Sequence, residues 1–255
     1  MSTSYAASPP TLRDPARVLW AVAGACWVVS VGLSVTGGAA FGSHDHVFEA
    51  GSPWPTRIVA FLLVWTVMLG AMMLPTTTAM ARVFTAVSAR QPRPARARAA
   101  FYAAYLLVWT GFAVVALAGD ALVHEVVDHW AWLAAHAGLV LAGALVLAGA
   151  VELSPLKDAC LRACRSPLSL VGRLYRRGAV GGWRVGMAHA LNCLGCCWAL
   201  MLVMFATGVG SLAWMLGLTA VMTVEKTTRL GARLVRPVAI VLLGAGLAVG
   251  ALAFV

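Results

Sequence analysis

Long runs of apolar residues, separated by short polar segments, limit the fold of this chain more than any other feature. A helix that crosses a membrane needs about 20 apolar residues. Seven runs approach or exceed this length: 18–37, 57–80, 99–119, 133–152, 185–207, 210–225 and 237–255. Backbone amides in lipid must find hydrogen-bond partners within their own segment, so such runs predict helices. The sequence therefore predicts an all-α, polytopic transmembrane helix bundle with about seven spans.

Composition agrees with this interpretation and excludes other classes. Of the 255 residues 61% are hydrophobic and only 11% are charged, whereas a soluble domain of this size needs a more charged surface. The net charge of +10 would suggest a nucleic-acid partner if the basic residues formed one patch. They lie instead between the apolar runs, which is the pattern of membrane topology. We expect a lipid bilayer as the partner, and no nucleic acid.

The distribution of basic residues predicts the orientation. With the N-terminus in the cytoplasm, 18 of the 19 Lys and Arg residues fall in inner segments and only Arg57 falls outside. Residues 1–17 then form a cytoplasmic N-terminal tail, and residues 18–255 form a single integral membrane domain. The first run is longer than the roughly 7–15 apolar residues of a signal peptide. We therefore expect a retained signal-anchor helix rather than a cleaved leader.

The fifth run contains HALNCLGCCWALM, which begins at His189. On a helix, His189, Cys193 and Cys196 share one face, and Cys197 lies beside it. Polar side chains within a span usually face the bundle interior and mark a site. Thiolates select soft metals, with Cu(I) first and zinc possible. A single buried cysteine can be plain packing, but this clustering favours a metal site.

The second run contains WTVMLGAMMLP. Met68 and Met72 share a helical stripe, and Met73 is adjacent. These thioethers lie at about the same depth as the cysteines of the fifth run, so the two sets could meet across the bundle and bind Cu(I) together. The alternative is that the stripe only fills the core, which is a common use of methionine.

Two further cysteines follow the fourth run. Cys160 and Cys164 are four residues apart, so they share a face if the segment is helical. Their basic neighbours favour the thiolate, the form that binds metals. The open alternative is a pair of half-buried loop cysteines. At the end of the sixth run, Glu225 and Lys226 are most simply read as an interfacial ion pair.

A secondary site is predicted in the outer loops. His44, His46, His124 and His129 lie there among carboxylates, and such ligands suit Cu(II) or zinc. Solvated loop histidines are the alternative interpretation.

Three motifs resemble a known family. They are WTVMLGAMMLP from Trp65, ELSPLKDACLRACRSP from Glu152, and GCCWALM from Gly195, which leads to Glu225 and Lys226. They resemble the bacterial predicted metal-binding integral membrane proteins, a domain family of unknown function sometimes labelled copper chaperones. The resemblance covers most of residues 57–230. It implies metal binding and a multi-pass protein of the bacterial cytoplasmic membrane.

These features together predict a membrane protein that accepts, passes or translocates Cu(I). The sequence contains no P-loop to supply energy for pumping, which favours a binding protein over an enzyme. Its partners would be a copper donor, a copper acceptor or a copper enzyme. Two alternatives stay open at this point. One is a membrane thiol–disulfide oxidoreductase that uses the cysteines of the fifth run, and the other is a structural subunit of a larger membrane complex.

Overall fold

The structure is a computed structural model that describes residues 14–38, 40, 47, 53–207, 211–228 and 230–254. In these residues the regular elements are helices and no strand occurs, so the predicted all-α class is confirmed. The helices are α1 (Pro15–Val35), α2 (Trp54–Ser88), α3 (Pro94–His129), α4 (Ala131–Ala135), α5 (Gly138–Glu152), α6 (Pro155–Arg165), α7 (Pro167–Leu174), α8 (Gly178–Ala206), α9 (Leu212–Thr227) and α10 (Gly231–Leu252).

Within the described ranges, five helices are long and apolar enough to cross a membrane, namely α1, α2, α3, α8 and α10. A sixth is obtained only if α5 and α6, which are bent by 63° at their junction, count as one broken span. The predicted sixth run, 210–225, corresponds to α9, whose 16 residues would reach about 24 Å at the rise of an α-helix. That is shorter than the roughly 30 Å of hydrocarbon. The expected count of seven is thus larger than helix length supports.

The bend between α5 and α6 follows from the local sequence. Pro155 lacks an N–H and cannot continue α5, but it fits the first turn of a new helix. Ser154 caps that helix, because its hydroxyl accepts the Lys157 N–H at 3.1 Å. The predicted fourth span therefore ends at Glu152, and the chain turns.

Pro75 has a similar effect inside α2. Its missing N–H frees the carbonyl of Ala71, one turn earlier. The indole Nε1 of Trp27 on α1 donates to that oxygen at 3.2 Å. Thr76 and Thr77, which follow the proline, donate instead to the carbonyl of Met73. The freed group is thus satisfied by a neighbouring helix, and the contact holds α1 against α2.

The start of α1 is attached to α2 as well. Asp14 caps α1 by accepting the Ala16 N–H at 3.0 Å, and Arg82 donates to both of its oxygens at 3.0 and 2.7 Å. The guanidinium lowers the pKa of the Asp14 carboxyl to about 2. Because the carboxylate is the bonded form, this contact persists as the pH falls until it approaches that value.

The closest helix pair positions the candidate site. Gly182 and Gly186 on α8 lie directly against α3, where a Cβ atom would overlap the carbonyl oxygens of Ala97 and Phe101. Small residues four apart allow this approach of two backbones. His189 follows Gly186 by one turn of α8, so the predicted metal-binding face begins where the two helices are held together.

Candidate metal centre

The three cysteines of α8 lie in the protein interior. Cys193, Cys196 and Cys197 are each about 1% exposed and belong to one buried cluster. The thiols of Cys196 and Cys197 donate to the carbonyl oxygen of Cys193 at 3.1 and 2.8 Å. The helical face predicted from the sequence is therefore directed into the bundle.

The cysteines of α6 join the same region. Cys160 and Cys164 both lie on that helix, as the four-residue spacing requires if they are to share a face. The Cys164 thiol lies next to the Cys196 thiol, and Cys160 packs on Gly195, its Sγ 2.6 Å from the position that a Cβ would take there. The structure thus brings together the two cysteine motifs that the sequence separates.

Lys226 on α9 enters this thiol group. Its Nζ lies 3.1 Å from Cys193 Sγ and 3.5 Å from Cys197 Sγ, and the residue is only 7% exposed. The predicted interfacial pair of Glu225 with Lys226 is wrong, because Glu225 accepts from Lys157. An ammonium in an apolar core is costly unless an anion accompanies it, and a thiolate is the group within reach.

Tyr105 connects three helices at this point. Its hydroxyl lies 3.3 Å from Cys193 Sγ and 3.3 Å from the hydroxyl of Thr77. The Thr77 hydroxyl itself donates to the carbonyl of Met73 at 2.9 Å. This contact path runs from the methionine segment of α2 through α3 to the cysteines of α8. No local sequence pattern marks Tyr105, since its position in the site depends on contacts with residues 28 and 88 positions away.

His189 is buried without a polar partner. It is 3% exposed and lies between the rings of Phe101 and Tyr105, with centroids 5.9 and 5.7 Å away. Neither ring nitrogen has a hydrogen-bond partner within the described part of the chain. Buried polar atoms are rarely left unpaired, and a neutral imidazole is a common metal ligand.

The predicted methionines lie in the same buried cluster as the cysteines. Met68, Met72 and Met73 are at most 2% exposed. Four methionines that were not predicted as ligands share the cluster: Met201 and Met204 on α8, and Met215 and Met222 on α9. The interior around the thiols is therefore rich in thioether sulfur.

The thiols do not yet form a converged ligand set. Among the described residues, no group of three or more His, Cys, Asp or Glu side chains has the geometry to hold a metal ion. The sulfur atoms of this face already have other partners. The thiols of Cys196 and Cys197 donate to a backbone carbonyl, and Cys193 Sγ lies next to the ammonium of Lys226. Metal binding by these thiols would require rotation of their side chains and movement of Lys226.

The predicted outer site is only partly within the described residues. His44 and His46 lie outside them. His124 and His129 are on α3, where each Nδ1 lies 2.9 Å from the carbonyl oxygen one turn earlier. Each also lies near a carboxylate of its own helix, at 3.7 and 3.5 Å. The secondary site stays a prediction.

A buried ion triad lies beside the thiol group. Lys157 on α6 binds Glu152 at the end of α5 and Glu225 on α9, the latter at 2.7 Å. All three side chains are at most 2% exposed. Glu152 Oε2 and Glu225 Oε1 have no hydrogen-bond partner in the described ranges. The sequence showed these charges at the ends of apolar runs but not that they pair with each other.

Comparison with known protein families assigns the chain to one of them. A family with the description PpoB2, copper chaperone, matches residues 62–249, which include all three motifs and most of the helices. The chain belongs to this copper chaperone family, and the resemblance expected from the motifs is confirmed. Comparisons with curated proteins and with solved structures gave no match.

Proposed function

We propose that this protein is an integral membrane copper chaperone that binds Cu(I) through the buried sulfur cluster of α2, α6 and α8. It would lie in the bacterial cytoplasmic membrane with its N-terminus inside, and exchange copper with a donor or acceptor protein or a copper enzyme. The observation that carries the proposal is the group of buried thiols gathered around Lys226.

The ligand chemistry supports copper in its reduced form. Cu(I) prefers soft thiolate and thioether donors, and both kinds fill this core. The proposed ligands are drawn from Cys193, Cys196, Cys197, Met68, Met72, Met73 and His189, with Cys160 and Cys164 as the adjoining thiols on α6. Cys164 beside Cys196 offers a route by which the ion could pass between the two helices.

Lys226 adds a reason for monovalent selectivity. The ammonium carries one positive charge, as Cu(I) does. If the ion takes the place of the ammonium between Cys193 and Cys197, the charge of the buried site is unchanged. Zn²⁺ would add a further charge to a region where uncompensated charge is costly. The charge of the site therefore favours Cu(I) over zinc.

The first prediction tests the thiol cluster against a matched control. The Cys193→Ser, Cys196→Ser double variant should lose most of the copper that the unaltered protein retains in reductant, because hydroxyls are poor Cu(I) ligands. Cys26→Ser should keep full occupancy. Cys26 is a partly buried thiol at the margin of the same cluster, where it packs on Gly70 between α1 and α2. Copper per protein would be measured by elemental analysis after purification.

Two results would contradict the proposal. Full copper occupancy in the double variant would reject the site. All six cysteines are free thiols in the structure, and alkylation after acid quenching should count them as free in cells. A stable Cys193–Cys196 or Cys160–Cys164 disulfide would favour the thiol–disulfide oxidoreductase instead.

A further inference from the structure

A cavity with several charged residues in its lining lies beside the ion triad, between α6 and the beginning of α10. Its volume is about 860 Å³. Four arginines contribute to its lining: Arg162, Arg165, Arg233 and Arg236. With Lys157 they give five basic residues against two acidic ones, Glu152 and Asp158. The cavity therefore carries a clear excess of positive charge.

The acidic residues of the lining are already paired. Glu152 binds Lys157, and Asp158 binds Arg162 one turn along α6. The side chains of Arg233 and Arg236, in contrast, form no ion pair or hydrogen bond within the described residues. Two guanidinium groups one turn apart on α10 are thus available to a ligand. A guanidinium can form paired hydrogen bonds with a phosphate, which makes phosphate the natural anion for such a pair.

The remaining wall is apolar. Leu153, Pro155, Leu161 and Val235 line the cavity, and Leu153 is 54% exposed. A small inorganic anion would leave this surface in contact with water. A molecule with a phosphate at one end and hydrocarbon at the other would cover both parts. Basic pockets between helices on the cytoplasmic side of a membrane bind phospholipid head groups in this way.

We propose that this cavity is a binding site for a phosphate ester, supplied by the head group of an anionic phospholipid. Arg233 and Arg236 bind the phosphate, and the acyl chains lie along the apolar wall. The proposal rests on the membrane embedding stated under the proposed function but not on copper binding. Because Glu152 and Lys157 also line the cavity, the bound lipid would hold α10 against the bend between α5 and α6.

The experiment uses the full-length protein in detergent. Binding of phosphatidylglycerol, phosphatidylcholine and inorganic phosphate would be measured by native mass spectrometry and by the shift in thermal unfolding. The Arg233→Gln, Arg236→Gln variant is compared with Arg90→Gln, Arg96→Gln, which removes two exposed arginines, one between α2 and α3 and one in the first turn of α3. We expect phosphatidylglycerol to bind and stabilise the unaltered and control proteins. Binding to the first variant should be about 25-fold weaker, since each arginine contributes roughly fivefold.

The different ligands and variants show which part of the proposal fails. Equal binding of phosphatidylglycerol to the two double variants overturns the site. Stabilisation by inorganic phosphate as strong as that by phosphatidylglycerol, lost on Arg233→Gln, Arg236→Gln, overturns the lipid source. Copper content is measured in parallel and should be the same in both double variants. A failure of lipid binding with copper retained therefore rejects this inference alone, whereas full copper occupancy in the Cys193→Ser, Cys196→Ser variant rejects the proposed function.

Discussion

The chain contains only two lysines, and both are buried at charged sites. Lys157 is 1% exposed and Lys226 7% exposed, while every other basic residue is an arginine. Lysine carries a compact charge on a flexible stem, and such a group can move out of a site more readily than a guanidinium fixed by several hydrogen bonds. This residue choice is consistent with an ammonium at Lys226 that yields its position to a metal ion.

At the same scale, the methionines of α2 give a prediction that separates ligation from packing. Met68→Leu with Met72→Leu nearly conserves volume and should cost less than about 1.5 kcal/mol per site in the free energy of unfolding. It should nevertheless weaken Cu(I) binding, because thioether donors are lost. Competition with a Cu(I) chelator would measure affinity, and thermal unfolding would measure stability.

Met80→Leu is the control for this pair. Met80 is equally buried, on the same helix, but belongs to a separate cluster with Phe84 and Phe101. It should leave copper affinity unchanged. Equal affinity in the double variant and in Met80→Leu would show that the α2 methionines only fill the core.

The residue types of the site were predictable from the sequence, and their partners were not. The cysteines of α8 and the methionines of α2 each cluster on one helical face, and such clusters stand out because a helix needs only apolar residues to face lipid. Lys226 and Tyr105 reach Cys193 across 33 and 88 residues, and no local pattern encodes such distances. In the sequence, Lys226 was one of the basic residues that predicted a cytoplasmic segment. Its burial beside the thiols depends on tertiary packing, which a local pattern does not show.

At the scale of elements, the ion triad fixes the bend between α5 and α6 to α9. Breaking one member of a buried ion pair leaves uncompensated charge and typically costs about 3–5 kcal/mol. Lys157→Met leaves two buried carboxylates facing each other, so we expect a loss in the free energy of unfolding of that size. Thermal and denaturant unfolding in detergent would measure it.

Two further variants, a control and a compensating triple variant, make this prediction specific. Arg162→Met breaks the pair with Asp158 on the same helix, but both side chains are about two-thirds exposed, and such pairs contribute at most about 1 kcal/mol. Lys157→Met combined with Glu152→Gln and Glu225→Gln should recover much of the loss, because no charge remains within the triad. A triple variant no more stable than Lys157→Met alone would contradict the electrostatic explanation.

The elements show why helix existence is easier to predict than membrane crossing. Apolar runs located the long helices α1, α2, α3, α8 and α10, because hydrophobic length is a local property. Helix α9 and the broken pair α5 and α6 were less predictable. These helices contain the buried residues Lys226 and Lys157. Length and composition alone therefore do not show whether such a helix crosses the membrane or lies in the protein core.

At the scale of the whole molecule, the placement of the two chain ends distinguishes six spans from five or seven. Five or seven spans place the two chain ends on opposite sides, whereas six place them on the same side. The arginines favour inner segments at residues 88–98. We expect a reporter fused after residue 255 to lie outside the cytoplasm and one inserted at 88–98 to lie inside. A cytoplasmic C-terminus would mean that six spans cross and that either α9 or the bent pair does not.

The central claim is that the buried sulfur cluster binds copper in the reduced state. Copper K-edge X-ray absorption of the copper-loaded protein tests it most directly, because the edge reports the oxidation state and the fine structure reports the ligand atoms. We predict a Cu(I) edge and a first shell dominated by sulfur, lost together with the metal in the Cys193→Ser, Cys196→Ser variant and unchanged in Cys26→Ser. A Cu(II) edge, or a first shell of nitrogen and oxygen alone, would contradict this account.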